Sequence, residues 1–364
     1  AEPEPQESFV SQPAAAPASP KNDVRSRVVW FVFDEMDYKL SFENRPPEVD
    51  MPEFDRFLQQ SLTATQAVSP SNATLESMAS LLSGRQVEEA KPYSKTELIL
   101  YFSDGQQSGL SETPTVFSAV KNMGGRSAVA GWYHSYCRVI GKDLSDCHWE
   151  GFDLANDFHS QSFSQSLVRD LYIFSLSIPG GYRIVKLIKG HWTLKAFTEY
   201  NERYVKRHEN LIEASKRMVP NPELDLVLIH LPIPHYPNFY NRTKQDYSGG
   251  SGYVDNLIFT DLVFGGLRRD MEAAGLWDDS VVIVSADHPW RLEIFTDRDR
   301  ELAEQGKDPR VPFIVKLKNQ TGPVKYEKPF NTLVTHDLIL ALMKGEISTP
   351  GELEKWLDLR AGNK

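Results

Sequence analysis

Val28-Val29-Trp30-Phe31-Val32-Phe33 is an unbroken apolar run that stops abruptly at Asp34-Glu35. A run apolar on both faces suits a strand buried inside a mostly parallel sheet, not one with a face in water. Similar runs follow at Leu224 to Ile229, Val281 to Val284 and Val311 to Val315. Between them, Tyr253 to Ala274 and the polar-rich Leu194 to Met218 read as helices. Alternating strands and helices predict an α/β fold, a mostly parallel central sheet sandwiched by helices. No internal repeat interrupts this pattern.

The ends of these strands carry the chemistry. In open α/β sheets, ligands sit at the carboxyl ends of the strands. Here those ends read Asp34-Glu35, His230 and Asp287-His288. Carboxylates and imidazoles delivered to one edge by three strands point to a metal site.

Composition bounds the rest. The chain has 364 residues, of which 40% are hydrophobic and 25% charged, enough for a sizeable core in one large domain or two ordinary ones. Its net charge of −10 argues against sequence-blind binding to nucleic acid, which needs a basic excess. No stretch reaches the roughly 18 apolar residues of a membrane span. The first twenty residues are half Pro or Ala and read as an extended segment with almost nothing to bury. We therefore expect a flexible linker over 1–26 and one catalytic domain over 27–364. A ragged soluble terminus and a linker from which a membrane or signal segment has been removed fit this composition equally well. The second gives a periplasmic or other extracytoplasmic protein, tethered to a membrane. Cys137 and Cys147 lie ten positions apart, without metal-ligand spacing. In an exported protein they would close a short disulfide loop, worth roughly 2–3 kcal/mol; in a cytosolic one they would be idle thiols.

Thr74 to Arg85 reads as a helix, entered at a hydroxyl residue after Pro70 and Asn72 and closed by Gly84. A helix start sets unpaired N–H groups and the positive end of the dipole beside Thr74, favouring a phosphate-like anion. In isolation, a Thr in this place is most often a plain N-cap.

Eight motifs in order resemble the alkaline phosphatase superfamily, in particular its sulfatase-like branch. They are Asp34-Glu35-Met36-Asp37-Tyr38, Met51 to Phe57, Leu81-Leu82-Ser83-Gly84-Arg85, Gly124 to His134, Pro234-His235-Tyr236-Pro237, Ser285-Ala286-Asp287-His288-Pro289, Arg310 to Val315 and Thr335-His336-Asp337-Leu338. Together they run from Arg27 to about Leu342. The departures matter as much as the matches. The sulfatase nucleophile is a Cys or Ser converted to formylglycine, and the family spacing lands on Thr74, which cannot be so converted. The Arg of that motif falls on Met78, and the Lys of the Gly-Lys-Trp-His motif on Trp132. With two sulfate-gripping cations missing, the pattern is closer to phosphoethanolamine and phosphoglycerol transferases, lipoteichoic acid synthase-like, and to nucleotide phosphodiesterases.

The resemblance implies one divalent metal held by Glu35, Thr74, Asp287 and His288, with Asp34 a further ligand. Two carboxylates, an imidazole and an alkoxide independently suit Zn²⁺ or Mn²⁺. A second metal is an open expectation. Thr74 would be the nucleophile. His235 would bind the phosphate or protonate the leaving group, and His230, His134 and His336 would be substrate-binding. Asp255 and Asp261 read as an exposed face and a helix cap. Leu167 to Trp192, with Arg183, Lys186 and Lys189 among apolar residues, reads as a helix covering the sheet or one lying on anionic lipid. The expected activity moves a headgroup from a phospholipid donor, at a membrane surface, onto a glycan or lipid acceptor. The alternatives are a soluble phosphodiesterase or phosphatase of the same superfamily, or a non-catalytic relative that binds lipid or a partner. Pro289, where the family has Gly, stiffens the loop bearing His288.

Overall fold

The computed structural model describes residues 26–94, 97–151, 191–249, 252–292, 294 and 296–361. Nearly all of the expected linker over 1–26 and of the basic segment Leu167 to Trp192 lie outside the described residues.

The run that opened the sequence reading is β1 (Arg27–Phe33), inside an eight-stranded sheet. The other strands are β2 (Leu62–Ala64), β3 (Ala67–Val68), β4 (Val87–Ser94), β5 (Glu97–Phe102), β6 (Gln107–Gly109), β7 (Ser127–Tyr133), β8 (Asp146–Gly151), β9 (Leu226–Leu231), β10 (Ser280–Ala286), β11 (Phe313–Lys316), β12 (Val324–Tyr326) and β13 (Phe330–Asn331). The main sheet runs β12-β2-β11-β10-β1-β9-β7-β8. Its pairings from β10 through β8 are parallel, and β11 is antiparallel to both its neighbours. The strand at Val311 to Val315 is thus present but reversed in direction. A three-stranded sheet β4-β5-β6 and the pair β13-β3 stand apart.

The helices are α1 (Pro52–Leu58), α2 (Thr74–Ser83), α3 (Val116–Asn122), α4 (Tyr136–Val139), α5 (His191–Met218), α6 (Tyr253–Ala273), α7 (Asp297–Ala303), α8 (Thr335–Met343) and α9 (Pro350–Ala361). Because successive strand side chains point to opposite faces, β1 feeds two cores. Val28, Trp30 and Val32 pack with Met78 and Leu81 of α2, Val116 of α3 and Leu338 of α8. Val29, Phe31 and Phe33 pack with Phe54 of α1, Leu211 of α5 and Leu257 and Phe264 of α6. The expected sandwich is the observed one. Cys137 and Cys147 form a disulfide that ties α4 to β8.

One of two acidic residues departs from its expectation. Asp255 is buried and ion-paired with Arg242 at 3.2 Å, so it is not on an exposed face. Asp261 caps a helix, as expected. Its carboxylate accepts from Phe54 N at 2.7 Å and Glu53 N at 3.2 Å, at the start of α1.

Candidate active site

Four elements deliver the site. β1 exits into Asp34 and Glu35, β10 into Asp287 and His288, β9 carries His230 near its end, and α2 begins at Thr74. His230 stands in register with Val32 of β1 and Gly131 of β7. Glu35 has φ 63°, in the left-handed region, so the chain turns sharply as it leaves β1. Asp34 O accepts from His235 N at 3.1 Å, which docks the loop after β9 onto the end of β1.

Asp34, His230 and Asp287 each place a ligand atom within 4.8 Å of the other two. All three are buried, and Asp34 Oδ1, Asp287 Oδ2 and His230 Nε2 have no hydrogen-bond partner. Their opposite ends are held. Trp132 Nε1 donates to Asp34 Oδ2 at 3.1 Å. Tyr136 Oη lies 2.9 Å from His230 Nδ1. His288 N and Glu35 N donate to Asp287 Oδ1 at 2.8 and 3.2 Å. Buried polar atoms without partners are uncommon. Three of them on residues oriented from behind form the pattern of ligands supported by an outer layer. Two carboxylates and an imidazole fit a divalent cation of the Zn²⁺ or Mn²⁺ type.

His288 links this cluster to Thr74. Its Nδ1 lies 3.0 Å from Pro289 O, which can only accept, so Nδ1 donates there and Nε2 faces the cluster. Nε2 is 3.5 Å from Asp287 Oδ2, 3.6 Å from Asp34 Oδ1 and 3.2 Å from Thr74 Oγ1. Thr74 does not cap α2. Ala73 occupies the N-cap without a side-chain bond, and the Thr74 hydroxyl points at His288. The helix otherwise follows expectation, closing on Gly84 in the left-handed conformation.

Burial and the negative charge of Asp287 push the Asp34 carboxyl up to about 7, against the opposing pull of His235 and His288. Burial also raises Asp287, but His288, His230 and the Thr74 hydroxyl outweigh it and hold Asp287 below the ordinary carboxylate value. Burial lowers His230 to about 4, so it is neutral and available as a donor nitrogen at neutral pH.

The other expected site residues sit differently. The Glu35 carboxylate, 1% exposed, accepts a short hydrogen bond from Arg291 Nε, so in this structure it pairs with a cation outside the cluster. His235 Nδ1 bonds Tyr236 O, and its Nε2 accepts from Arg291 Nη2 at 2.9 Å. Both nitrogens are engaged, which opposes a proton-donor role in this arrangement. His134 is buried with Nε2 3.3 Å from Thr74 O, behind the nucleophile, and burial lowers it to about 4. His336 is removed from the site: it packs on Gly84, at the far end of α2 from Thr74, and bonds Asp337 at 2.8 Å.

The sequence reading missed Tyr136 and Arg291, and it counted Trp132 only as a lost Lys. Gly131 is the one local signal for Tyr136. A Cβ there would lie 2.2 Å from Tyr136 Cδ2, so glycine leaves room for that ring to reach His230.

No protein-family profile and no curated protein sequence matches the chain. Solved structures do. A sulfatase from a glycosaminoglycan-metabolism locus of Bacteroides thetaiotaomicron superposes with a TM-score of 0.59 at 14% identity, covering 93% of this chain and 82% of that one. The PsFucS1 sulfatase of Pseudoalteromonas sp. does so with a TM-score of 0.59 at 12% identity, over 87% and 68%. The chain shares the fold of these sulfatases. The phosphonate monoester hydrolase SpPMH of Silicibacter pomeroyi is also similar, with a TM-score of 0.50 at 14% identity over 88% and 73%. Met78 and Trp132 are both buried. The two positions where the sulfatase resemblance expects cations therefore line the interior.

Proposed function

We propose that this chain is a metal-dependent phosphoester hydrolase that uses Thr74 as its nucleophile. The observation that carries this reading is the Thr74 hydroxyl 3.2 Å from His288 Nε2, on the edge of the Asp34, His230 and Asp287 cluster. Asp34, Asp287 and His230 would hold the cation, with His288 Nε2 as a further donor. A bound divalent cation supplies positive charge that lowers the Thr hydroxyl pKa and offsets charge on the substrate oxygens. Thr74 Oγ1 forms a bond to phosphorus as the bond from phosphorus to the leaving oxygen breaks, and the Thr proton ends on that leaving oxygen. Water then breaks the Oγ1–P bond and restores Thr74. The Pro289 carbonyl, accepting from His288 Nδ1, orients the ring with Nε2 toward Thr74.

Water is the acceptor this reading favours, because the similar solved structures include sulfatases and a phosphonate monoester hydrolase. A narrower form, suggested by the Glu35, Thr74, Asp287 and His288 pattern, passes a phosphoethanolamine or phosphoglycerol headgroup from a phospholipid to a glycan or lipid at a membrane surface. The disulfide points to an oxidising, extracytoplasmic compartment. No described helix is long and apolar enough to cross a membrane.

Intact-protein mass and product release, measured on wild type and Thr74→Ala with Mn²⁺ or Zn²⁺, test the proposal. Substrates are p-nitrophenyl phosphate, bis(p-nitrophenyl) phosphate and mixed phospholipid vesicles. Turnover in wild type and a loss of at least roughly 10³-fold in Thr74→Ala are expected. An adduct whose mass equals a lipid headgroup selects the transfer form. Turnover that survives in Thr74→Ala overturns both.

A further inference from the structure

Arg291 is not among the residues that the motif pattern marks, yet it bonds two that are, Glu35 and His235. Its Nε donates to Glu35, a carboxylate 1% exposed, while the Arg291 side chain is itself 38% exposed. Its Nη2 donates to His235 Nε2 at 2.9 Å. The guanidinium is thus held from two sides beside the cluster and is still partly in solvent.

We propose that Arg291 is a substrate-binding residue that grips the tetrahedral oxyanion of the ester, taking over from the cations absent at Met78 and Trp132. This rests on the hydrolase reading above. Charge balance argues for it. Asp34 and Asp287 lie in the cluster with Glu35 beside them, and were all three carboxylates ionised around a divalent cation, it would offset only two of their charges. The Arg291 charge completes neutrality, so an anionic substrate is no longer repelled. A guanidinium also offers a planar fork of donors matched to oxyanion oxygens.

Backbone strain is gathered around the same side chain. Among the described residues, five that are not glycine have positive φ, and three of them lie here. Glu35 (φ 63°) is its partner, Leu292 (φ 62°) follows it directly, and Tyr133 (φ 74°) feels its charge. Such strain concentrates at ligand clamps. Neutralising Glu35 alone would not require a half-exposed cation aimed from a strained loop.

The test compares wild type with Arg291→Gln and Arg291→Lys, checking each fold by thermal melting. Two quantities are read: the Kd of inorganic phosphate by calorimetry, with and without Mn²⁺, and the KM and kcat for p-nitrophenyl phosphate. Arg291→Gln should raise the phosphate Kd and KM by roughly 10- to 100-fold, with kcat changed less. Arg291→Lys, which keeps a charge beside Glu35, should recover part of the loss. If Arg291→Gln fails to fold, Arg291→Lys carries the comparison, since loss of the fork alone should weaken phosphate several-fold. A folded variant that binds phosphate within twofold of wild type overturns the proposal. If wild type turns over no ester, the hydrolase reading fails, and the phosphate Kd still decides the role of Arg291.

Discussion

Trp132 and Asp34 meet inside the protein through an indole N–H that donates to Asp34 Oδ2 at 3.1 Å, both side chains being buried. The aromatic residue that stands where the sulfatase pattern has a Lys thus holds a carboxylate of the cluster, leaving Oδ1 without a partner. Trp132→Phe keeps the ring and deletes the donor. It should destabilise the metal-free protein by about 1–3 kcal/mol, the penalty for an unpaired buried acceptor. Urea unfolding of both proteins in a chelator measures this; equal midpoints would show that the bond contributes nothing.

Tyr136 plays the matching part for His230. Tyr136→Phe should leave the ring packed and weaken Zn²⁺ or Mn²⁺ binding by roughly 10- to 100-fold, as losses of outer partners typically do. Gly131→Ala should reach the same end by force, since the added Cβ would fall 2.2 Å from the Tyr136 ring. It should also lower stability by about 1–3 kcal/mol. Metal titration by calorimetry, alongside melting curves, separates the two. Wild-type metal affinity in folded Tyr136→Phe would remove His230 from the ligand set.

Metal binding should depend on pH through Asp34. Its carboxyl is raised to about 7 in the metal-free protein, so below that pH a cation must displace a proton. His230, lowered to about 4, does not compete above that value. Affinity should therefore fall about tenfold per pH unit on going below 7, and level off above it. Titrations at pH 5.5, 6.5 and 8 read the slope. A flat profile across this range would mean that Asp34 is ionised throughout.

His208, outside the site, should set part of the acid sensitivity. It is fully buried beside Phe239 and Phe259, neither ring nitrogen has a hydrogen-bond partner, and burial lowers it to about 3. The unfolded chain takes up a proton near pH 6.5 and the folded one does not, so stability rises with pH between about 3 and 6.5 and is flat above. From pH 7.5 to 5.5 this residue should remove about 1.4 kcal/mol. His208→Leu should lose that share of the pH dependence. The difference between the two proteins in urea midpoint at each pH isolates it from the other histidines.

The layout of the site was legible because strand ends are local signals. An apolar run that stops at an acid marks both a buried strand and the residue at its mouth, which is why Asp34, Asp287 and His288 were found. His230 was found as well, with a substrate-binding role. Its place within β9, in register with Val32, sets it beside Asp34 and Asp287. Asp255 was misjudged because its pairing with Arg242 is invisible to helical periodicity.

By itself, the sequence determined the layered α/β fold, the helix that starts at Thr74 and the edge of the sheet where chemistry gathers. These follow from periodicity, from turn formers and from where apolar runs end, all short-range properties of a chain. Only the tertiary structure decided which atoms are left without partners, that Trp132 and Tyr136 orient the cluster, and that Glu35 meets Arg291. Glu35 and Arg291 lie 256 positions apart, and Trp132 and Asp34 lie 98 apart. A residue's type states which bonds it can make. Which of them it does make depends on what packing brings within about 3 Å, and packing is settled by the whole chain at once.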